Sequence, residues 1–177
     1  RLVARLIRSS GKQDSMASAL AESLFGVSLR APPRVILVDA VISPTLIGVG
    51  PWTRILYPRR LWQELPAQQR DGLLIHELEH FRRGDHWVRV IEAAAITVFW
   101  WHPLVWWAKH HIEVTEESCC DAVASRDCSE LSYAEALLTT LDFINEPSWT
   151  PAVPVGTGVS RLPVLEQRLK QIVQHSI

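Results

Sequence analysis

The stretch DGLLIHELEHFRRGDH, residues 71–86, sets the strongest constraint on how this chain folds, because five polar residues, HELEH at 76–80, directly follow the apolar run LLI. Leu74, Leu78 and Phe81 recur at i, i+4 and i+7, the spacing of a buried helical stripe, so LPAQQRDGLLIHELEHFRRGD reads as one helix with Pro66 in its first turn and Gly84 closing it. That stripe fixes the helix in a core, which weighs against reading HELEH as a polar patch facing solvent. Positions i and i+4 lie one above the other on a helix, so His76 and His80 can aim two imidazoles at a single point, the geometry of a zinc pair. Glu77, one residue round, leans over the same point without binding the ion, where a carboxylate can take a proton from metal-bound water.

A catalytic zinc takes three protein ligands and leaves its fourth place to water, so a third donor is required. Residues 81–86, FRRGDH, do not supply a histidine at the short HExxHxxGxxH spacing, and a distant helix must provide the ligand. HIEVTEESCCDAVAS offers Glu113, Glu116, Glu117 and Asp121, of which Glu113, Glu117 and Asp121 share a ridge. A ligating carboxylate followed one turn later by an acid would let Asp121 orient a ligand imidazole through its free N–H. Spacing alone does not decide between Glu117 as ligand and a solvated acidic helix face, which accounts well for Glu113 and Glu116.

The rest of the chain supplies the setting. Its 177 residues suit one domain spanning 1–177, and 18 Lys+Arg against 19 Asp+Glu leave a net charge of -1, which gives no reason to expect nucleic acid as a partner. RVILVDA (34–40) and TLIGVGPWTRILYP (45–58) are rich in β-branched residues and broken by Gly48, Gly50 and Pro51, predicting a small sheet of short strands with a kink or turn. Before them, DSMASALAESLFGV is a helix with Asp14 or Ser15 as N-cap and Gly26 as stop. After them come helices over 87–101 and 103–125, the second begun by Pro103. A further helix to about Asn145 follows, with Ser132 and Glu135 at capping-box spacing. EPSWTPAVPVGTGVS is a loop, and RLPVLEQRLKQIVQ a closing amphipathic helix. Strands first and helices after make the class α+β, with a small N-terminal β-sheet.

Cys119, Cys120 and Cys128 cannot all pair within one chain, which predicts reduced thiols, each a small buried residue, in a cytoplasmic setting. The chain opens at Arg1 without Met and reads as a fragment of something longer. Its first residues, RLVARLIRSSGK, are basic and amphipathic, a solvated helix end or a juxtamembrane stretch on the cytoplasmic side. From Ala93 to Ala108 there is no charged residue, and Trp100, Trp101, Trp106 and Trp107 crowd together. Those 16 residues fall short of the roughly 20 a spanning helix needs, which leaves a buried core helix, the preferred reading, or contact with a bilayer surface through residues 98–107.

HELEHFRRGDH followed by FWWHPLVWWAKHHIEVTEESCCDAV resembles the BlaR/MecR-type antirepressor membrane metallopeptidases, whose pattern is HExxH, Asp, an aromatic-x-PLVW segment and a helix ending Glu-x-x-Cys-Asp. SPTLIGVGPWTRILYP and LEQRLKQIV resemble the family's strand region and closing basic helix, so the likeness covers most of the chain. It implies a helical zincin core of the minigluzincin kind, with one zinc ion held by His76, His80 and Glu117, Glu77 as catalytic base, Asp121 as the acid after the third ligand, and Asp85 orienting a ligand. Glu116 departs from a position that is often basic in that family. The resemblance further implies a membrane-bound signalling protein, held by several spans outside this fragment. Its peptidase portion lies on the cytoplasmic side and cuts a peptide or protein substrate, a transcriptional repressor or itself. An extended substrate would add to the strand edge of residues 45–57. His86, His102, Tyr57 and Arg54 are all conceivable transition-state stabilisers, while His110 and His111 sit on a solvated face. Two rivals stand beside this reading: a non-catalytic zinc-stabilised signalling module, and a peripheral membrane-binding domain with incidental histidines.

Overall fold

The β-branched run RVILV and the paired stretches TLI and RILYP form the sheet of the computed structural model, which describes residues 12–13, 15–25 and 31–145. The elements in chain order are β1 (Lys12–Gln13), α1 (Ser15–Phe25), β2 (Arg34–Val38), β3 (Thr45–Ile47) and β4 (Arg54–Pro58). They continue with α2 (Arg59–Glu64), α3 (Ala67–Arg83), α4 (Asp85–Val98), α5 (Pro103–Cys128) and α6 (Glu130–Asn145). The fold is α+β, strands first, as the sequence predicts. The sheet order is β1-β2-β4-β3, with β2 and β4 parallel (Val35 opposite Ile55, Leu37 opposite Tyr57) and β3 antiparallel to β4 (Leu46 opposite Ile55). Residues 45–58 are therefore a hairpin rather than one kinked strand. The reversal occurs at Gly48, whose φ of 86° puts it in the left-handed region, where an added Cβ would also strike the Trp52 carbonyl.

Helix α3 runs through the middle of the molecule. Its predicted stripe of Leu74, Leu78 and Phe81 is buried, and Leu73, Leu74 and Leu78 join Val35, Leu37, Ile55 and Tyr57 of the sheet with Ala124, Tyr133 and Leu137 of α5 and α6 in one core cluster. Gly72 marks where α3 comes closest to its neighbours: a Cβ there would lie 2.5 Å from Cys128 Sγ and 3.2 Å from Tyr133 Cδ2. Alanine favours a helix over glycine by about 1 kcal/mol, yet Cys128 is buried with its Sγ bonded to the Ala124 carbonyl at 3.0 Å, so yielding to the new methyl disturbs the core. Gly72→Ala therefore lowers stability by about 1–3 kcal/mol, read as a reduced urea midpoint at unchanged slope. A midpoint at or above that of the parent protein contradicts this packing.

At the other end of α3, Gly84 adopts φ 81° and donates its N–H to the carbonyls of His80 and Phe81, ending the helix and starting α4 at once. This tight corner brings Asp85, the first residue of α4, back beside the last turn of α3. Pro66 is the N-cap of α3 rather than a first-turn residue.

Several expectations are corrected. The cap of α6 is supplied by Ser129, whose Oγ accepts from Ser132 N at 3.4 Å, so the helix begins before the Ser132–Glu135 pair. Cys119 is exposed, while Cys120 and Cys128 are buried. Glu113 and Glu116 are not a solvated face but are buried: Arg89 reaches across from α4 to both and to Glu92, and Lys109 also pairs with Glu113. The aromatic stretch is not a buried core helix either. Phe99, Trp100, Trp101, Leu104, Trp106 and Trp107 are exposed, because the α4–α5 hairpin projects past a core whose α5 members begin only at Ala124. Among the described residues, no helix is long and apolar enough to cross a membrane. The basic opening segment up to residue 11, the caps proposed at Asp14 and Gly26, the loop from residue 146 to 160 and the closing helix lie outside the described residues.

Candidate metal centre

The 3.6-residue period stacks His76 and His80 on one face of α3, with their rings 4.8 Å apart and their Nε2 atoms 3.2 Å apart. Each imidazole is held from behind through Nδ1. His80 Nδ1 lies 2.7 Å from Asp85 Oδ2, an N–H donating to a carboxylate, which is the contact the Gly84 corner creates. His76 Nδ1 lies 3.1 Å from Asp121 Oδ1 and 2.9 Å from the hydroxyl of Tyr133, and that hydroxyl in turn donates to Asp121 Oδ1 at 2.7 Å. With the proton of each ring on Nδ1, both Nε2 lone pairs face the same point.

The third group at that point is Glu117 from α5. Its Oε2 is 3.5 Å from His76 Nε2 and its Oε1 3.6 Å from His80 Nε2. Asp121, one turn further along α5, stays with His76, so a four-residue step sends one acid to the front of the imidazole pair and the other to the back. Two lone pairs and a carboxylate converging in this way are the donor set of a divalent cation. A tetrahedral ion with bonds of about 2.0–2.1 Å would separate its ligand atoms by about 3.3 Å, close to the edges found here. The imidazole side chains are 7% and 13% exposed and that of Glu117 is 28% exposed, so the point opens to solvent on the Glu117 side.

A second cluster of possible donors, His80, Asp85 and Cys120, lies next to the first. Cys120 Sγ is 3.5 Å from His80 Nδ1. That nitrogen already carries the proton donated to Asp85. Burial, reinforced by the charge of Asp85, also pushes the Cys120 thiol far above its ordinary range. The chemistry favours the His76, His80 and Glu117 group.

Glu77 is buried beside the pair. Burial pushes its carboxyl above the usual carboxylate range against the pull of His76 and His80, with Glu117 adding to the rise and a hydrogen bond from the Leu46 N–H opposing it. That hydrogen bond ties edge strand β3 to the polar face of α3. For Asp85, burial acts upward, but the hydrogen bond and charge of His80, together with Arg83, win and hold its carboxyl below the usual range.

The structure thus brings together His76, Glu77, His80, Asp85, Glu117 and Asp121. Sequence reasoning missed Tyr133, which is fully buried on α6 and offers no signal in a helix read for its cap. It also missed Leu46, which acts through its backbone. Of the four residues considered as stabilisers, Tyr57 is buried in the core, edge-on to Trp62, and His86 stacks on Phe81. His102 caps α5 at the hairpin tip, and Arg54 bonds the carbonyls of Pro51 and Thr53. His110 and His111 are exposed.

A histidine pair one turn apart on a core helix, with a glutamate between them and a carboxylate arriving from a later helix, defines a domain of the metallopeptidase class. The chain belongs to the BlaR1 peptidase M56 family, whose sequence model matches residues 1–172. Family and site together make it a metallopeptidase-type hydrolase domain with a site suited to a metal. No curated protein and no solved structure matches the chain.

Proposed function

We propose that this domain is a zinc-dependent endopeptidase within a membrane-bound, signal-transducing antirepressor-type protein. The observation that carries the reading is the convergence of the His76 and His80 Nε2 atoms with the Glu117 carboxylate, backed by separate acids behind each imidazole. One zinc ion would be held by His76, His80 and Glu117. When bound it supplies Lewis acidity and makes water acidic enough to ionise near pH 7.

The chain's own residues then carry the proton chemistry. Glu77, made more basic by burial, takes the proton of the attacking water and returns it to the leaving amine, a contribution of about 10²- to 10⁴-fold for a well-placed acid-base group. Asp85 and the Asp121–Tyr133 pair hold the imidazoles in the Nδ1-protonated tautomer and fix their direction. Strand β3 is the sheet edge next to Glu77, and an extended peptide pairing with it would bring a scissile bond to the site with little demand on sequence. A repressor, or the protein itself, is the proposed substrate, and the cytoplasmic face of the cell membrane the proposed location. The test compares zinc content and cleavage of a mixed peptide library by the wild type and Glu77→Gln. A non-catalytic zinc module would hold metal and cut nothing in either form.

Removing one hydroxyl tests the support behind His76. Tyr133→Phe keeps the ring in the core but removes the donor to Asp121, so zinc affinity falls by roughly 10-fold, within the range for ligand-orienting partners. Competition with a chromogenic chelator measures it, and an unchanged affinity would leave Tyr133 a packing residue only.

A further inference from the structure

The α4–α5 hairpin ends in an apolar tip that no described element covers. Phe99, Trp100, Trp101, Leu104, Trp106 and Trp107 are each about half exposed or more, with Trp100 at 66%. They lie on the connecting turn and the first turns of α5, so the surface is a knob at the projecting end of the hairpin. Trp106 Nε1, in the first turn of α5, donates to the Trp100 carbonyl at 2.8 Å and ties the connecting turn to that helix. The occupant can be argued from charge and shape. From Ala93 to Ile112 there is no Asp or Glu, and the polar side chains of the hairpin and its base are Thr97, His102, Lys109, His110 and His111. Lys109 is paired with Glu113 at the base, so what distinguishes the knob is its tryptophans and its lack of acids: it suits the headgroup level and repels no anionic headgroup, while a protein partner would have to supply an apolar socket for so projecting a shape.

We propose that this knob is a bilayer-docking surface, sinking the indoles to the headgroup level of one anionic leaflet without crossing it. The inference deepens the membrane placement proposed above by naming the surface, and it does not depend on the domain being catalytic. The uncharged helical part of each arm, residues 93–98 and 103–108, is less than two turns long, about 9 Å, a reach suited to the roughly 5–10 Å depth of an interfacial element. Along α5, Leu104 and Glu117 are 13 residues apart (117 − 104), roughly 20 Å at 1.5 Å per residue, which sets the height of the metal centre above the tip. The bridge from Arg89 to the buried Glu92, Glu113 and Glu116 joins both arms between tip and centre.

The test is flotation of the full chain with vesicles of phosphatidylcholine and phosphatidylserine, with pure phosphatidylcholine vesicles alongside. The comparison is with a variant carrying Trp100→Ser, Trp101→Ser, Trp106→Ser and Trp107→Ser. The wild type is expected to float, more strongly with phosphatidylserine, and its fluorescence to be quenched by lipids brominated on the acyl chain. The variant should lose at least about tenfold in partitioning while keeping its circular dichroism and zinc content. If the fourfold variant fails to fold, Leu104→Gln alone should still weaken flotation. A wild type that stays with the aqueous fraction, or variants that float as well as it does, overturns the proposal. So does a wild-type dimer that the substitutions convert to monomer in sedimentation without lipid, since the knob would then be covered by a second copy.

Discussion

Glu77→Gln is expected to lower peptide cleavage by about 10²- to 10⁴-fold while zinc content stays that of the wild type. The contrast follows from where Glu77 sits. It is on the face of α3 that carries His76 and His80 but outside the converging donor atoms, so removing its charge takes away a proton carrier and no ligand. Glutamine still offers a carbonyl oxygen to the Leu46 N–H, so strand β3 keeps its hold on the helix. Burial also makes the carboxylate costly to keep charged, so with metal removed from both, the variant should melt no lower than the wild type at neutral pH. Cleavage at the wild-type rate would end the assignment of Glu77 as base, and loss of zinc would mean that it holds the ion.

The second large effect concerns the ligands. His80→Ala removes one Nε2 and leaves Asp85 facing the space the ring filled, so zinc affinity should fall by more than the roughly 10- to 100-fold that loss of an orienting partner costs. Glu117→Ala, from a different helix, should do the same. Zinc bound to the native state alone stabilises by about 2.7 kcal/mol at a hundred times its dissociation constant. Chelator should therefore lower the melting temperature of the wild type and leave that of either variant almost unmoved. A Glu117→Ala protein that retains zinc and its chelator-sensitive melting would remove the third ligand from the scheme. Asp85→Asn, which keeps a hydrogen-bond acceptor for His80 Nδ1, should fall between these variants and the wild type.

Why some of this was legible beforehand is visible in particular residues. The α3 stripe, the histidine pair and the Gly84 stop all lie within one stretch of chain, where helical period and capping rules act on neighbours. The α5 ridge of Glu113, Glu117 and Asp121 was also readable, but not which acid goes where. Glu113 turned to Arg89 because α4 folds back along α5, an event that no local period reports. The aromatic run illustrates the same limit, since an uncharged stretch too short to span reads alike whether it will be enclosed or left projecting.

By itself the amino-acid order determined the helix that bears HELEH, the face both imidazoles share and the α+β order of elements, because these depend on bonds and contacts within a few residues. Only the tertiary structure decided that Glu117 meets the two Nε2 atoms, that Asp121 and Tyr133 back one ring while Asp85 backs the other, and that the tryptophans stand outside the core. The physical reason is that each of those outcomes depends on how α4, α5 and α6 pack around α3, and packing is settled by the combined burial of side chains far apart in the chain.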